Sequence, residues 1–271
     1  MIDTLKDVLW PEVPFDLEKA LVLVVRRGSE AHGLFIAPDE EMGTDDRDLI
    51  AVVVPPLEYL MGLSDDRHKT WRKQERQQIR GPWDVIVYDL RKFARLLTEQ
   101  NANILSALWA DPSDVLYATE VGEMFLRRRL LFRASGPARS SFIGYAHDQI
   151  EKMMSGTLGT GYMGEKRRML KERLGFDPKH ACHCIRLLRM GAEYLTTGEM
   201  QVRRSTDRAV LIAIKQGRIP LPEIKALADE ALQRLLAAPV DGVMPDHVDR
   251  DEVDSVLVYA MLLHHQLECW A

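Results

Sequence analysis

In this 271-residue chain, the residues whose types and spacing suit chemistry are three aspartates and one glycine-serine pair. Asp46 and Asp48 flank Arg47. Side chains two apart on an extended strand point the same way, so these two carboxylates would face one side together. Hard oxygen donors in that arrangement suit Mg2+, which is commonly held by a few carboxylates plus substrate phosphates. Asp84, expected on a neighbouring strand, would complete a site for two metals about 3.5–4 Å apart, one activating an attacking oxygen and one neutralising the leaving oxygen. Asp45 competes for the first ligand position, but Asp46 has the two-residue relation to Asp48. Gly28-Ser29 lies between a strand and a short helix expected over Glu30 to Gly33. A glycine there lets backbone N–H groups approach a phosphate closely, and a helix N-terminus favours the anion. These parts describe a triphosphate held by backbone and metal while an incoming hydroxyl displaces pyrophosphate.

Three strands have to position these groups. Leu21 to Val25 is a continuous aliphatic run, which reads as a strand buried on both faces. Leu49 to Val54 is a second, stopped by Pro55-Pro56, and Trp83 to Tyr88 is a third, after Gly81-Pro82. The acidic stretch Pro38 to Gly43 carries no sustained period and reads as a loop. Helical spacing follows in Leu90, Phe93, Leu96 and Leu97, and again in Ile104, Leu105 and Leu108. Beyond Ser135 the segments Phe142 to Met153, Ala181 to Leu195, Ala209 to Ile214, Ile224 to Leu236 and Val253 to Leu267 carry apolar residues three and four apart. The Ser/Gly/Pro content of Arg133 to Pro137 marks a boundary. The expectation is an α+β protein: a small mixed sheet with helices on one side over residues 1–134, then an all-helical domain over 135–271.

Composition narrows the partners. With 36 basic and 41 acidic residues the net charge is −5, so no globally positive surface meets phosphate or lipid, and any nucleic-acid contact must be local. Three cysteines, Cys182, Cys184 and Cys269, are too few for a disulfide framework and suggest a reducing compartment. No run approaches the roughly 18 to 20 apolar residues of a membrane span. Met1-Ile2-Asp3-Thr4 lacks the order of a signal peptide, so a cytoplasmic location is expected.

Lys179, His183 and Arg186 stand at i, i+4 and i+7, one helical face carrying two or three positive charges. The alternative is a solvated basic face. His180, Cys182, His183 and Cys184 tempt a zinc reading, but one helical turn cannot wrap a tetrahedron and no second Cys/His pair is evident, so buried cysteines are expected. Basic groups that could position a nucleic-acid backbone are Arg127-Arg128-Arg129, Arg133, Arg139, Lys166-Arg167-Arg168 and Arg203-Arg204, each of which is more often a solvated helix face. Aromatic residues are sparse at 7%, and none interleaves these groups as a base-stacking platform.

Gly28-Ser29-Glu30-Ala31-His32-Gly33-Leu34, Asp46-Arg47-Asp48-Leu49 and Asp84 resemble the active-site elements of the DNA polymerase β superfamily of nucleotidyltransferases. More narrowly, the chain is similar to a family that includes RNA-ligase-associated polymerase-β-like proteins. Further matches are Tyr88 to Phe93, Asn101 to Ile104, Gly144-Tyr145 and Lys179 to Leu188, so the resemblance runs from about residue 20 to 220. It implies that Gly28 and Ser29 contact nucleotide phosphates and that Asp46 and Asp48 bind both metals. Asp84 would bind the catalytic metal and promote attack by the acceptor hydroxyl, while Lys179, His183 and Arg186 grip the triphosphate. The implied cofactor is Mg2+, with Mn2+ as a substitute, and the implied substrate an NTP, ATP first among them. The expected acceptor is the sugar hydroxyl of an RNA end, in repair or end modification; this rests on the family's association with RNA ligase. Nucleotidylation of a protein or small molecule, and a non-catalytic nucleotide-sensing module, are the alternatives. Two departures from the family pattern stand out: the segment from Ser29 to Asp46 is long, and Arg47 occupies a position that is usually apolar.

Overall fold

The structure is a computed structural model and describes residues 15–37, 40, 47–63, 77–80, 83–154, 165–239 and 242–266. Asp45, Asp46, Cys269 and most of the loop Pro38 to Gly43 lie outside the described residues. Within them the order is α1 (Leu17–Ala20), β1 (Leu21–Arg27), α2 (Gly28–Ala31), β2 (Arg47–Val53), α3 (Leu57–Leu60), β3 (Gln77–Arg80), β4 (Trp83–Asp89), α4 (Leu90–Thr98), α5 (Ala102–Leu108), β5 (Val115–Ala118) and α6 (Glu120–Arg127). There follow α7 (Ser135–Met154), α8 (Glu165–Leu174), α9 (Pro178–Thr197), α10 (Arg208–Lys215), α11 (Leu221–Ala237) and α12 (Arg250–His264). The architecture is α+β, and no strand follows β5 among the described residues.

All three expected strands are present: β1 runs two residues further, to Arg27, β2 starts two residues earlier and ends at Val53 rather than Val54, and β4 runs one residue further, to Asp89. Two more, β3 and β5, complete a five-stranded sheet ordered β3-β4-β2-β1-β5. Both additions are four residues long, too short for a period to register. The β2–β4 pair is parallel and the rest are antiparallel, so the sheet is mixed. The short helix after β1 begins at Gly28, not at Glu30 as expected, so the glycine-serine pair forms its first turn. Helices α1, α3, α6 and α8 carried no signal strong enough to expect; seven of the ten residues of α8 are charged, and among its described side chains only Leu170 is buried.

Both faces of the sheet are covered. Leu49, Ala51 and Val53 of β2 face an apolar cluster with Leu17, Val24, Val85 and Val87, lidded by α1 and by Tyr59 of α3. Ile50 and Val52 face the opposite way, into a cluster that runs through Phe93 and Phe125 to Leu188, Tyr194 and Ala260. That second cluster joins the sheet to α9 and α12 across the 134/135 division. Ser135 N–H donates to the Pro245 carbonyl at 2.9 Å, which pins the start of α7. Further along, the buried Gln100 Nε2 donates to the Leu97 and Phe132 carbonyls, while its Oε1 accepts from Tyr194 Oη at 3.2 Å.

Candidate active site

Strand register places the first group of side chains. In the parallel pair Asp48 stands level with Asp84, and in the antiparallel pair Arg27 stands level with Asp48. Residues level across neighbouring strands point to one face. Alternation along β2 puts Asp48 on the side of Ile50 and Val52, the face on which the helical region packs. The β1–β2 register slips by one between Leu21 and Leu23. Without that slip Arg27 would lie opposite Arg47. With it, one guanidinium nitrogen, Nη2, is 3.1 Å from Asp48 Oδ1 and 3.2 Å from Asp84 Oδ2. The two carboxylates therefore approach within about twice that distance of each other at the end of the sheet, and Asp84 is only 9% exposed.

Gly28 closes against this group. Its φ is +64°, and an added Cβ would meet Asp48 Oδ2 at 2.0 Å. Only a glycine fits, both for the left-handed backbone and for the contact. Ser29 is buried, and its carbonyl accepts from Leu34 N–H at 2.8 Å, so the backbone folds into a tight turn over Gly28 to Leu34. Asp46, the third expected ligand, lies outside the described residues. Arg47 reaches away from the carboxylates: it is 3.7 Å from Glu30 and stacks over the Trp83 ring at 5.3 Å, which accounts for a cation at a position usually apolar.

A second group gathers at the other end of the same turn. Helix α9 starts where Asp177 caps Lys179 N–H at 3.0 Å, with Pro178 in the first position. Arg186 is 5% exposed, and no carboxylate pairs with it among the described residues; its Nη1 meets Met190 Sδ, and its Nε has no hydrogen-bond partner. Burial pushes its pKa down to about 10, with the Arg204 charge acting in the same direction. Lys215 of α10 is buried and donates to the Leu34 carbonyl at 2.7 Å. His32 is buried; its Nδ1 lies 3.0 Å from the Val202 carbonyl, and its own carbonyl accepts from Arg204 N–H.

Burial, then the Arg186 guanidinium, holds His32 well below the usual histidine range. Burial and the cations Arg186, Lys179 and Lys215 do the same to His183. Of the expected face of two or three positive charges, Lys179 and Arg186 supply two, while the lowered pKa of His183 disfavours a third. The turn links both groups, with Gly28 against Asp48 at one end and His32 among the cations at the other.

Arg27, His32 and Lys215 were not singled out from sequence. Arg27 sits next to a recognised pair, and the histidine lies inside the Gly-Ser-Glu-Ala-His-Gly string, so adjacency was the available signal for those two. Nothing in the spacing marks Lys215. Several other expectations resolve as structural. Asn101 caps α5 and its Nδ2 donates to Tyr145 Oη at 2.5 Å, while Asp89 caps α4 through Arg91 N–H at 2.7 Å. Cys182 and Cys184 are buried, and among the described residues no group of three His, Cys, Asp or Glu side chains could hold a metal. Of the basic groups, Arg139 binds the carbonyls of Leu236 and Ala238, and Arg167 binds Asp177. Arg203 binds Asp114, and buried Arg204 binds Glu193 and Asp207. The Lys166 side chain lies outside the described residues. No helix among the described residues is long and apolar enough to cross a membrane.

A sequence profile of the RNA repair pathway DNA polymerase beta family matches residues 11–258, which extends the resemblance at both ends. No curated protein and no solved structure matches the chain significantly.

Proposed function

The chain belongs to the RNA repair pathway DNA polymerase beta family, nucleotidyltransferases of polymerase-β type, and from that premise we propose that it moves a nucleoside monophosphate from an NTP, ATP first among them, to the sugar hydroxyl of an RNA end, releasing pyrophosphate. The observation that carries this reading is the level placement of Asp48 and Asp84 on adjacent parallel strands, with Gly28 in contact with the Asp48 carboxylate. Two carboxylates converging where backbone turns tightly are the donor set that a hard divalent cation takes. The residues that would hold Mg2+, or Mn2+ in its place, are Asp46, Asp48 and Asp84, and the bound cation would offset charge on the reacting phosphates.

The chain's own residues do the rest. Gly28 and Ser29 bring backbone N–H groups to the phosphates without a side chain in the way. Asp84, buried at the sheet end, is the group to accept the proton of the attacking hydroxyl. Lys179 and Arg186 supply fixed positive charge toward the triphosphate from α9. The neutral His183 offers a hydrogen bond rather than a charge. Arg186 suits this role because it is desolvated and no carboxylate among the described residues lies within ion-pair distance of it, so an incoming anion recovers part of its burial cost.

Incubation with α-labelled NTP and Mg2+, followed by separation of RNA, protein and small-molecule pools, tests the reading. Label on RNA ends is expected, and label only on protein or a small acceptor would defeat the RNA assignment. Asp48→Ala is expected to abolish transfer, and equal turnover by the variant would reject the carboxylate assignment. Lys179→Ala is expected to act mainly on nucleotide binding, raising KM more than it lowers kcat. NTP binding without pyrophosphate release for any acceptor would support a sensing module instead.

A further inference from the structure

Arg27 is the side chain nearest the carboxylate pair that the function above leaves without a task. Its Nη2 lies 3.1 Å from Asp48 and 3.2 Å from Asp84, so a fixed monovalent cation stands where the two acidic side chains converge. Its Nε is buried without a hydrogen-bond partner, so the guanidinium has donor capacity that these contacts do not use. Arg27 also directly precedes Gly28-Ser29, at the edge of the turn expected to meet phosphate.

We propose that Arg27 couples divalent-cation binding to nucleotide binding, by occupying the space between Asp48 and Asp84 until a triphosphate draws its guanidinium away. The proposal rests on the reading of Asp48 and Asp84 as cation ligands. Geometry supplies the coupling. The Arg27 guanidinium stands on the Asp48 and Asp84 oxygens that an entering divalent cation would need, so a cation entering alone must displace it against repulsion that is strong at close range. A triphosphate eases that exchange, because it brings negative charge and offers the planar guanidinium a bidentate phosphate partner in place of the carboxylates. Free metal then binds weakly, and metal with nucleotide binds tightly. The enzyme would not hold an activated cation against its acidic pair when substrate is missing. The coupling is reciprocal, so the metal strengthens nucleotide binding by the same factor. Arg27 acts in this as a positioning residue.

Binding of Mn2+ to the full chain, followed by the electron paramagnetic resonance signal of the free ion, tests this with and without a non-hydrolysable ATP analogue. For the wild type, the analogue is expected to tighten Mn2+ binding by about tenfold or more, within the usual range of coupling between sites. Arg27→Met, which keeps length and removes charge, is expected to bind Mn2+ alone about tenfold more tightly than wild type, and to lose most of the gain from the analogue. Arg27→Lys, which keeps the charge, should stay near wild type in the absence of nucleotide. A merely structural arginine would not move nucleotide-free metal affinity upward. Mn2+ affinity in Arg27→Met equal to or below wild type, with binding lost in Asp48→Asn, overturns the role of Arg27 and leaves the cation site standing. No Mn2+ binding by wild type in either condition overturns the cation site and this proposal with it. If Arg27→Met does not fold by circular dichroism, the wild-type measurement decides alone: affinity unchanged by the analogue refutes the coupling.

Discussion

Replacing Gly28 with alanine should separate the cost of backbone strain from the cost of moving a carboxylate, because Gly33 in the same turn provides a matched control. Both glycines have positive φ, +64° and +68°. A non-glycine residue in the left-handed region costs about 1–2 kcal/mol, so Gly28→Ala and Gly33→Ala should each lose about that much stability from the backbone alone. The surroundings differ. At Gly33 the nearest atom to an added Cβ is Arg203 Cγ at 3.7 Å, an ordinary contact. At Gly28 the Cβ would fall 2.0 Å from Asp48 Oδ2, so the carboxylate must retreat by about 1.4 Å to reach an ordinary separation of about 3.4 Å. Asp48 is held by Arg27, so the retreat also disturbs the link to Asp84. A misplacement of about 1 Å in an active site can cost about a hundredfold in rate. Gly28→Ala should therefore lose about two orders of magnitude in kcat/KM for nucleotidyl transfer while remaining folded, whereas Gly33→Ala should stay within a few-fold of wild type. Urea unfolding monitored by circular dichroism supplies the stability of each, and labelled-NTP transfer the activity. Equal activity losses in the two variants, or wild-type activity in Gly28→Ala, would refute the argument that this glycine exists to make room for the carboxylate.

Stability should fall with acid. His32 and His183 are held below their unfolded value of about 6.5, so the stability associated with keeping them neutral is complete above that pH. Below it, the unfolded chain gains protons and each histidine removes up to about 1.4 kcal/mol per pH unit. A urea midpoint unchanged between about pH 7.5 and 5.5 would contradict this. Asp207→Asn should destabilise by about 3 kcal/mol, because buried Arg204 loses the charge of one of its two carboxylate partners, at 2.9 and 3.0 Å; a loss below about 1 kcal/mol in urea titration would contradict it. Lys215→Met leaves the Leu34 carbonyl without its buried donor, for a cost of about 1–3 kcal/mol. The same variant removes a cation facing both His32 and His183, so their pKa values should rise in NMR titration, and unmoved values would refute the placement.

Sequence alone was enough to find the three strands that carry the site, because continuous aliphatic runs ended by Pro-Pro or preceded by Gly-Pro are local signals. It was enough to nominate Gly28, Ser29, Asp48 and Asp84 for the proposed phosphate and cation site, and the fold brings Gly28, Asp48 and Asp84 together. It also indicated the helical second half through three-and-four spacing. Strands β3 and β5 were missed because four residues cannot display a period, and α8 because a charged helix displays none. Electrostatic setting is tertiary as well: the sequence supplies a histidine at 183, but its lowered pKa comes from burial and from the charges of Arg186, Lys179 and Lys215, which are brought together by packing. The clearest case is Arg27. Whether it faces Asp48 or Arg47 depends on a one-residue slip between Leu21 and Leu23 in the β1–β2 pairing. A strand has a side-chain period of two, so one residue of register exchanges its faces. Nothing local in Leu21 to Arg27 announces that slip, since it is chosen by how two distant strands fit together, and so the identity of the cation between the carboxylates belongs to the tertiary structure.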